Sequence, residues 1–520
     1  MAKKTNGKQK SMEETLWDSA NKLRGTVESS EYKHVVLGLI FLKFVSDKFV
    51  SRRAEMIAEG EQDFIEIQEF YASKNVFFLP EESRWSYIVE NAKQDDIALK
   101  IDTALHTIEK NNPTLKGALP DNYFSRLNMD VSKLSALLDT INNIDTLADK
   151  QQDIVGRVYE YFLSKFAIAE GKGKGEFYTP KSIVNLIAEM IEPYKGVIYD
   201  PACGSGGMFV QSMKFIENHH GNKKEVSIYG QEYTATTYKL AKMNLAIRGI
   251  AANFGGKPAD TFGNDQHKDL MADFIMANPP FNQKNWRAAD ELTDDPRWAG
   301  YETPPTSNAN YAWILNMVSK LSQNGVAGFI LANGALSGGG EEYKIRKQLI
   351  ENNLVEAIVI LPRNMFYTTD ISVTLWILNH NKTERVVELP DETRNYRSRE
   401  EEILFMDLRQ EGEPFEKKYI QFNEEHIRKI AATYHNWQQN PDFEDVPEYC
   451  YGATKEEVVK KDYSLVPSKY IEFVNRDENI DFDTKMAALQ SELSDLLKAE
   501  IQSEKDLLEV FNTLGYKIEL

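Results

Sequence analysis

Hydrophobic positions recur at helical spacing through the first third of the chain. Ser11 and Glu14 form a capping-box pattern ahead of the first apolar positions, and a long amphipathic stretch covers residues 31–56. No chemical motif stands out in this region. The pattern therefore predicts a helical N-terminal domain over residues 1–150, with a docking or lid role.

Between residues 151 and 385, short apolar segments alternate with helical ones. Strands are predicted at 197–199, 226–229, 274–276, 327–331, 355–360 and 373–378. Helices are predicted between them at 182–191, 236–247, 311–321 and 343–352. Alternation of this kind predicts an α/β fold, with a doubly wound and mainly parallel sheet that binds ligands at the carboxyl ends of its strands.

The pattern weakens after the last two of these strands. The stretch that joins them leaves no room for a helix, so we expect them to form an antiparallel pair. From residue 386 to residue 475 the chain is polar, carries a charged run over residues 391–402 and has few strand signals. This part is predicted to be a polar extension of the alternating domain.

The end of the chain, residues 476–520, is predicted to form an amphipathic helical tail. Residues 471–520 carry 12 acidic and 5 basic side chains, a local net charge of −7. Such a helix fits a protein partner better than it fits DNA, although packing on its own chain is the alternative. The apolar positions with 3-4-3 spacing are Met486, Leu489, Leu493 and Leu496.

Composition is that of an ordinary globular protein. The 520 residues are 42% hydrophobic and 27% charged, and the length suggests two or three domains. No apolar run approaches the roughly 18 residues of a membrane span, and the basic N-terminus lacks the apolar stretch of a secretory signal. Cys203 and Cys450 are far apart and lack CxxC spacing. We therefore expect a cytoplasmic protein without disulfides or membrane contact.

A glycine-rich turn follows the first predicted strand of the alternating region. The segment DPACGSGG occupies residues 200–207, and glycines at a strand-to-helix turn let the backbone approach a ligand and present amide N–H groups. Glu232 ends the next strand, where a carboxylate can accept hydrogen bonds from both ribose hydroxyls of an adenosine cofactor. A NAD site has similar geometry but uses a GxGxxG run, which this turn lacks.

The tetrapeptide NPPF begins at Asn278, directly after the strand predicted at 274–276. Its prolines fix the backbone and remove amide donors, which leaves carbonyl groups free to accept hydrogen bonds. The N6 amine of adenine is a poor nucleophile because its lone pair is delocalised into the ring. Hydrogen bonds to the Asn278 side-chain oxygen and the Pro279 carbonyl would localise that lone pair, while Phe281 stacks on a flipped base. Alignment and electrostatics would then suffice for methylation, without a covalent intermediate.

Other chemistries find little support in the sequence. The eight histidines show no ligand spacing, so no metal site is expected. Neither cysteine follows a proline, which leaves C5-cytosine methylation without an evident nucleophile. A GxxxxGK[ST] phosphate loop is absent from the sequence, so ATP-driven translocation or cleavage would belong to another chain.

The motifs DPACGSGG and NPPF, with GEFYTP upstream at residues 175–180, resemble those of the N6-adenine DNA methyltransferases. Their order and flanking regions are similar to the modification subunits of type I restriction–modification systems. This resemblance implies a Rossmann-like sheet that binds S-adenosylmethionine. It also implies double-stranded DNA as substrate, a specificity subunit that binds two copies of this chain, and an ATP-dependent restriction subunit as a further partner.

By position, the resemblance also assigns roles to individual residues. Asp260 matches the family position that reads the adenine amino group of the cofactor. The implied cofactor contacts are Glu176, Phe177, Tyr178, Thr179, Pro180, Lys181, Asp200, Gly204, Ser205, Gly206, Gly207, Glu232 and Asp260. The implied catalytic residues are Asn278, Pro279, Pro280 and Phe281. Many relatives carry tyrosine in the last place, and phenylalanine keeps its stacking face.

The net charge of −19 complicates this interpretation, because phosphate neutralisation supplies much of the affinity of DNA-binding proteins. A local patch that includes Lys172 and Lys174 would be one solution. We favour the other, a basic partner subunit that holds the duplex. Methylation of RNA or of protein glutamine, and a non-catalytic assembly role, stay open as alternatives.

Overall fold

The computed structural model describes residues 14, 17, 18, 21, 29–144, 154–170, 178–367, 372–390, 392–416, 418–474 and 482–513. The chain forms two compact units, Met1–Ile471 and Glu472–Leu520. The first unit contains both the helical N-terminal part and the sheet. This division into two units does not test the predicted domain boundaries at residues 150 and 385, and the boundary at residue 475 likewise stays a prediction.

The N-terminal helices enclose a hydrophobic core of their own. They are α1 (Ser29–Ala58), α2 (Gln68–Ala72), α3 (Trp85–Glu90), α4 (Ile97–Asn111), α5 (Val131–Asn142) and α6 (Ile154–Glu170). Residues 35–42 of α1 are all buried, so this helix is the centre of the core, where a helix that is apolar on all sides belongs. The amphipathic pattern predicted over residues 31–56 therefore does not hold for residues 35–42, which are buried on every side. The predicted cap at Ser11 lies outside the described residues.

The twelve strands within the described residues are β1 (Gly196–Asp200), β2 (Val226–Gly230), β3 (Ala272–Ala277), β4 (Leu321–Ala332), β5 (Val355–Ile360), β6 (Val373–Asn379), β7 (Arg385–Glu388), β8 (Thr393–Tyr396), β9 (Glu402–Asp407), β10 (Glu413–Phe415), β11 (Tyr419–Gln421) and β12 (Cys450–Thr454). Eight of them form one sheet in the order β12-β9-β5-β6-β4-β3-β1-β2. Within it, β6 and β12 run antiparallel to their neighbours. The predicted α/β fold and the predicted antiparallel pair of β5 and β6 are both confirmed.

Helices cover both faces of this sheet. They are α7 (Lys181–Ile191), α8 (Gly207–Asn218), α9 (Ala235–Ile247), α10 (Asn310–Val318), α11 (Gly340–Glu351), α12 (Glu424–Gln439) and α13 (Lys455–Lys460). One face packs on α7, α8 and α12, and the other on α10 and α11. The helix predicted at 311–321 ends at Val318, because Leu321 begins β4. None of the helices in the described part of the chain is both long and apolar enough to cross a membrane.

The prediction that residues 386–475 form a polar extension with few strands was wrong. This segment supplies β9, which pairs in parallel with β5, and β12, which forms the edge of the sheet. The residues of β9 from Ile403 to Asp407 are all buried. Their short apolar run directly follows the charged run over residues 391–402, and the charges dominated the sequence pattern.

A buried ion pair ties this segment to the sheet. Arg399 and Glu356 are both fully buried, and the Arg399 Nε donates to Glu356 Oε1 at 2.9 Å. Gln438 Nε2 donates to the same oxygen at 3.1 Å, and Asn379 donates to the other. Burial alone would raise the pKa of Glu356, but the Arg399 charge and these hydrogen bonds hold it below its usual value.

Replacing Arg399 with methionine is expected to lower the free energy of unfolding by about 3–5 kcal/mol, because the carboxylate of Glu356 would stay buried without its partner. Urea unfolding of the two proteins at pH 7 measures the difference. Lys429→Met is the matched control, since its ion pair with Glu411 lies at the surface and should contribute less than about 1 kcal/mol. Equal losses in the two variants would contradict this account.

The second unit contains the helix α14 (Phe482–Thr513). A helix is therefore present in the predicted tail, over residues 482–513. The apolar side chains exposed along it are Met486, Leu489, Leu493, Leu496, Leu497, Ile501, Leu507 and Val510. Exposed apolar stripes of this kind are common where one protein chain docks on another.

Candidate active site

The predicted motifs meet at the carboxyl ends of three neighbouring parallel strands. β3, β1 and β2 are adjacent in the sheet, and Asp200 at the end of β1 pairs with Gly230 at the end of β2. Asn278 directly follows Ala277, the last residue of β3. The sheet therefore brings the glycine turn, the Glu232 segment and the NPPF turn to one edge.

The glycine turn bends tightly between β1 and α8. Gly204 and Gly206 have φ angles of 53° and 78°, in the left-handed region that glycine adopts without strain. The Gly204 amide donates to Glu232 Oε2 at 3.1 Å, and the Thr234 amide donates to Glu232 Oε1 at 2.8 Å. The carboxylate of Glu232 is thus fixed at both oxygens, and the lone pairs that remain can accept further hydrogen bonds.

The turn that leads into α8 is hydrogen-bonded to the neighbouring helix α9, and there is open space beside Gly207. Ser205 is buried, and its carbonyl accepts a hydrogen bond from Asn244 Nδ2 at 2.7 Å. A Cβ atom on Gly206 would lie 3.6 Å from Leu245, toward the core, whereas a Cβ atom on Gly207 would meet nothing within 4 Å. The amides of a first helical turn have no partner within the helix, so this end of α8 can bind an anionic group.

Two carboxyl groups lie in this turn with little access to water. Asp200 is 1% exposed, and its Oδ1 accepts a hydrogen bond from the Ala202 amide at 2.9 Å. Burial raises the pKa of Asp200 to about 8, and the charge of Glu232 adds to the effect. Burial raises the pKa of Glu232 as well. A cationic ligand beside these groups would stabilise their ionised forms.

The loop that contains Asp260 is fixed against the glycine turn. Thr261 Oγ1 donates to the Pro201 carbonyl at 2.6 Å. Gln231 is fully buried, and its Nε2 donates to the Asn264 carbonyl at 2.9 Å. Gln231 and Thr261 were not among the predicted site residues. Their only signal was position, since each is a polar residue beside a predicted ligand residue.

The side-chain amide of Asn278 makes one hydrogen bond and presents one buried acceptor. Its Nδ2 donates to Thr179 Oγ1 at 3.0 Å, across 99 residues of sequence. Its Oδ1 is buried and has no hydrogen-bond partner within the described part of the chain. A buried unpaired acceptor costs about 1–3 kcal/mol, so such a group needs an explanation, and a ligand donor is the direct one. Pro180, next to Thr179, is buried.

The remaining residues of the NPPF turn differ in exposure. Pro279 is buried and Pro280 is exposed. Phe281 is half-buried, and its ring lies edge-on to that of Phe366, with centroids 5.9 Å apart and an angle of 80° between the planes. Phe366 was not predicted, because it lies 85 residues further along the chain in a segment without a motif. This contact helps to hold the Phe281 ring in place.

Residues 282–310 follow the turn as an ordered loop. The Asn282 amide donates to Asn310 Oδ1 at 3.0 Å, and Asn310 Nδ2 donates to Asn282 Oδ1 at 2.9 Å. Trp286 and Trp298 of the loop are buried. The reciprocal asparagine pair therefore anchors the exit of the NPPF turn to the first residue of α10.

The upstream segment GEFYTP is only partly described. Tyr178 stacks on Tyr367 with centroids 6.0 Å apart and planes 8° from parallel. Lys181 is exposed and begins α7. Glu176 and Phe177, like Lys172 and Lys174, lie outside the described residues. Their assigned roles stay predictions.

A cavity of about 1040 Å³ lies at the opposite end of the strands, where β1 and β3 begin. It opens beside Gly196, the first residue of β1, and beside Asp273 near the start of β3. None of the predicted site residues lines this cavity. Ligands of open α/β sheets bind at the carboxyl ends of the strands, so we place the active site there despite the size of this cavity.

Comparison with protein-family models matches residues 150–479 to N-6 DNA Methylase and residues 12–143 to the HsdM N-terminal domain. The chain belongs to the N-6 DNA methylase family. Among curated relatives, the type I restriction enzyme HindI methylase subunit of Haemophilus influenzae is 42% identical over 460 residues, covering 84% of this chain and 100% of that one. The MjaIX methylase subunit of Methanocaldococcus jannaschii is 36% identical over 526 residues, covering 97% and 91%.

A solved structure agrees with these matches. The type I restriction–modification methyltransferase subunit from Streptococcus thermophilus superposes with a TM-score of 0.73 at 25% identity, covering 89% of this chain and 99% of that chain. The predicted family of type I modification subunits is therefore confirmed, and so is the class of adenine-specific DNA methyltransferase. The roles of individual residues in this N-6 DNA methylase remain predictions.

Proposed function

We propose that this N-6 DNA methylase transfers a methyl group from S-adenosylmethionine to the N6 amine of an adenine flipped out of double-stranded DNA, at the turn that begins with Asn278. The observation that carries the proposal is the buried Oδ1 of Asn278, which no described residue pairs and which lies at the same sheet edge as the glycine turn. It supplies the hydrogen-bond acceptor that an adenine amine needs.

The residues at this edge fit S-adenosylmethionine. Glu232 would accept hydrogen bonds from the ribose hydroxyls, and Asp260 would accept one from the adenine amino group. The start of α8, beside Gly207, would bind the carboxylate of the methionine part, and Asp200 would lie near its positive charge. When bound there, the cofactor supplies an electrophilic methyl group on a cationic sulfur.

The NPPF turn would position the target amine. Asn278 Oδ1 and the Pro279 carbonyl would accept hydrogen bonds from its two N–H groups, which localises the nitrogen lone pair toward the methyl group. As the new N–C bond replaces the S–C bond, the amine would lose one of these protons to solvent. Phe281 would stack on the base once it leaves the duplex. No side chain needs to form a covalent bond, since orientation and hydrogen bonding at the transition state provide the acceleration.

The test is a methylation assay with tritiated S-adenosylmethionine and unmethylated duplex DNA, followed by nucleoside analysis of the product. We expect label in N6-methyladenine when the chain is assembled with its specificity subunit. RNA and a glutamine peptide serve as the competing substrates. Label in 5-methylcytosine, in RNA or in the peptide, with none in N6-methyladenine, would overturn the proposal.

Cofactor affinity is expected to depend on pH through Asp200. The pKa of about 8 means that the carboxyl is mostly protonated at pH 6, and a cationic ligand favours its ionised form. The affinity for S-adenosylmethionine should therefore rise from pH 6 to pH 8 and level off above that, by up to about tenfold per pH unit below the pKa.

Calorimetric titration of wild type and Asp200→Asn across this range measures the effect. The cofactor amine titrates near the same pH, so the decisive quantity is the ratio of the two dissociation constants. This ratio should change with pH, because asparagine does not titrate. A constant ratio would contradict the role of Asp200.

We also propose that α14 binds the DNA specificity subunit, with two copies of this chain on each. Its exposed apolar stripe and acidic surroundings support a protein partner over DNA. Leu493→Asp should prevent assembly with the specificity subunit, and label in N6-methyladenine should then be lost from the methylation assay. Calorimetry should show unchanged binding of S-adenosylmethionine. An ATP-dependent restriction subunit completes the proposed complex, which would act on DNA in the cytoplasm.

A further inference from the structure

We infer that Thr179 is a positioning residue for the methyl transfer, acting through the amide of Asn278. This inference rests on the proposed function, in which Asn278 Oδ1 binds the target amine. The family resemblance assigned Thr179 to the cofactor instead. The hydrogen bond from Asn278 Nδ2 to Thr179 Oγ1, at 3.0 Å, gives it a different task.

Thr179 lies in a segment that leads directly into a helix anchored in the core. Pro180 follows it as the residue before α7, and the Pro180 carbonyl accepts hydrogen bonds from the amides of Ile183 at 3.0 Å and Val184 at 3.3 Å. Ile183 and Val184 are buried in the core beneath the sheet. The helix start therefore holds the segment of Thr179 against the end of β3.

Asn278 needs an external partner to keep a single orientation. The final torsion of an asparagine side chain is broad, so a free amide plane would rotate and move its oxygen away from the substrate. A hydrogen bond at Nδ2 fixes this plane and leaves Oδ1 as an acceptor. Because Oδ1 has no hydrogen-bond partner among the residues that the structure describes, we take the bond at Nδ2 as the contact that sets its direction.

The hydrogen bond between Asn278 and Thr179 joins two distant parts of the sequence. Thr179 lies two residues before α7, and Asn278 directly follows β3, so the hydrogen bond forms only when α7 packs on the sheet. Loss of the hydroxyl should leave the cofactor pocket intact and misalign the acceptor. The expected cost is in kcat, because the interaction with the amine is strongest in the transition state.

The experiment compares Thr179→Val, which keeps the branched shape, with Thr179→Ser, which keeps the hydroxyl. Both are assembled with the specificity subunit and assayed for kcat, for KM of DNA and, by calorimetry, for the dissociation constant of S-adenosylmethionine. We expect kcat of Thr179→Val to fall by about 10-fold to 100-fold, as for a lost hydrogen bond. Cofactor affinity should stay within about twofold, and Thr179→Ser should recover most of the rate.

Asn278→Ala separates the failure of this inference from that of the proposed function. An active Asn278→Ala would overturn the proposed function itself. An inactive Asn278→Ala together with a fully active Thr179→Val would overturn only the positioning role. Weaker cofactor binding by Thr179→Val at unchanged kcat would return Thr179 to the cofactor site. If Thr179→Val does not fold, Thr179→Ala against Thr179→Ser gives the same comparison.

Discussion

Asn278→Ala is expected to lower the methylation rate by about 10³-fold or more, while S-adenosylmethionine binds within about twofold of its wild-type affinity. Removing one preorganised hydrogen-bonding group from a transition state costs about 10²- to 10³-fold, and the Thr179 contact is lost with it. The glycine turn and Glu232 are untouched by this change, so cofactor binding should persist.

Single-turnover methylation and calorimetry on the same preparations measure the two quantities. Asn324→Ala is the matched control, because Asn324 is exposed and lies near the amino end of β4, away from the site. It should leave both quantities unchanged. A rate for Asn278→Ala within tenfold of wild type would show that another group accepts the hydrogens of the amine.

The stability of the fold should not confound this experiment. Asn278→Ala removes a buried acceptor that destabilises the free protein, and it also removes the stabilising hydrogen bond to Thr179. The two effects oppose each other, so we expect little change in the unfolding temperature. A site residue that lowers stability in the free enzyme is a common feature of binding sites. The unpaired acceptor of Asn278 fits that pattern, whereas Arg399 stabilises the fold through its ion pair with Glu356.

The sequence predicted the central strands well because their signals are local. Each of β1, β2 and β3 is a short apolar run that ends in a motif, and the parallel sheet then places the three motifs at one edge. β9 was missed for the converse reason. Its apolar run is short, follows a dense run of charges, and becomes a strand because β5 offers a partner edge, which is a tertiary effect.

The site was predictable where one segment carries its own chemistry, as in the glycine turn and the NPPF turn. It was not predictable where one residue serves another across the fold. Gln231 fixes the Asp260 loop, Asn310 anchors the NPPF turn, and Phe366 supports Phe281. Each of these contacts joins segments 28 or more residues apart, and nothing in the local pattern marks it.

The direction in which a Cβ atom would point from each glycine of the turn is a further feature that only the structure provides. From the sequence, Gly206 is as good a place as Gly207 to block the cofactor with a carboxylate. In the structure a Cβ atom on Gly206 points toward Leu245, and its φ of 78° disfavours any side chain. Gly206→Asp would thus damage the fold, and its failure to bind cofactor would say little about the site.

Gly207→Asp is instead the informative change. A Cβ atom there meets nothing within 4 Å, and an acidic residue in the first turn of a helix is favourable for stability. The new carboxylate would occupy the anion position at the start of α8 and repel the carboxylate of S-adenosylmethionine. We expect the dissociation constant to rise by about 10-fold to 100-fold, or about 1.4–2.8 kcal/mol, with no loss of thermal stability.

Gly207→Ala is the control, since a methyl group has room there and carries no charge, and it should bind within about threefold of wild type. Calorimetry and thermal unfolding of both variants complete the comparison. High salt should restore part of the affinity of Gly207→Asp, because screening weakens repulsion between charges near the surface. Equal affinities for Gly207→Asp and wild type would mean that the methionine carboxylate does not lie at this helix, and the proposed direction of the cofactor across the glycine turn would be wrong.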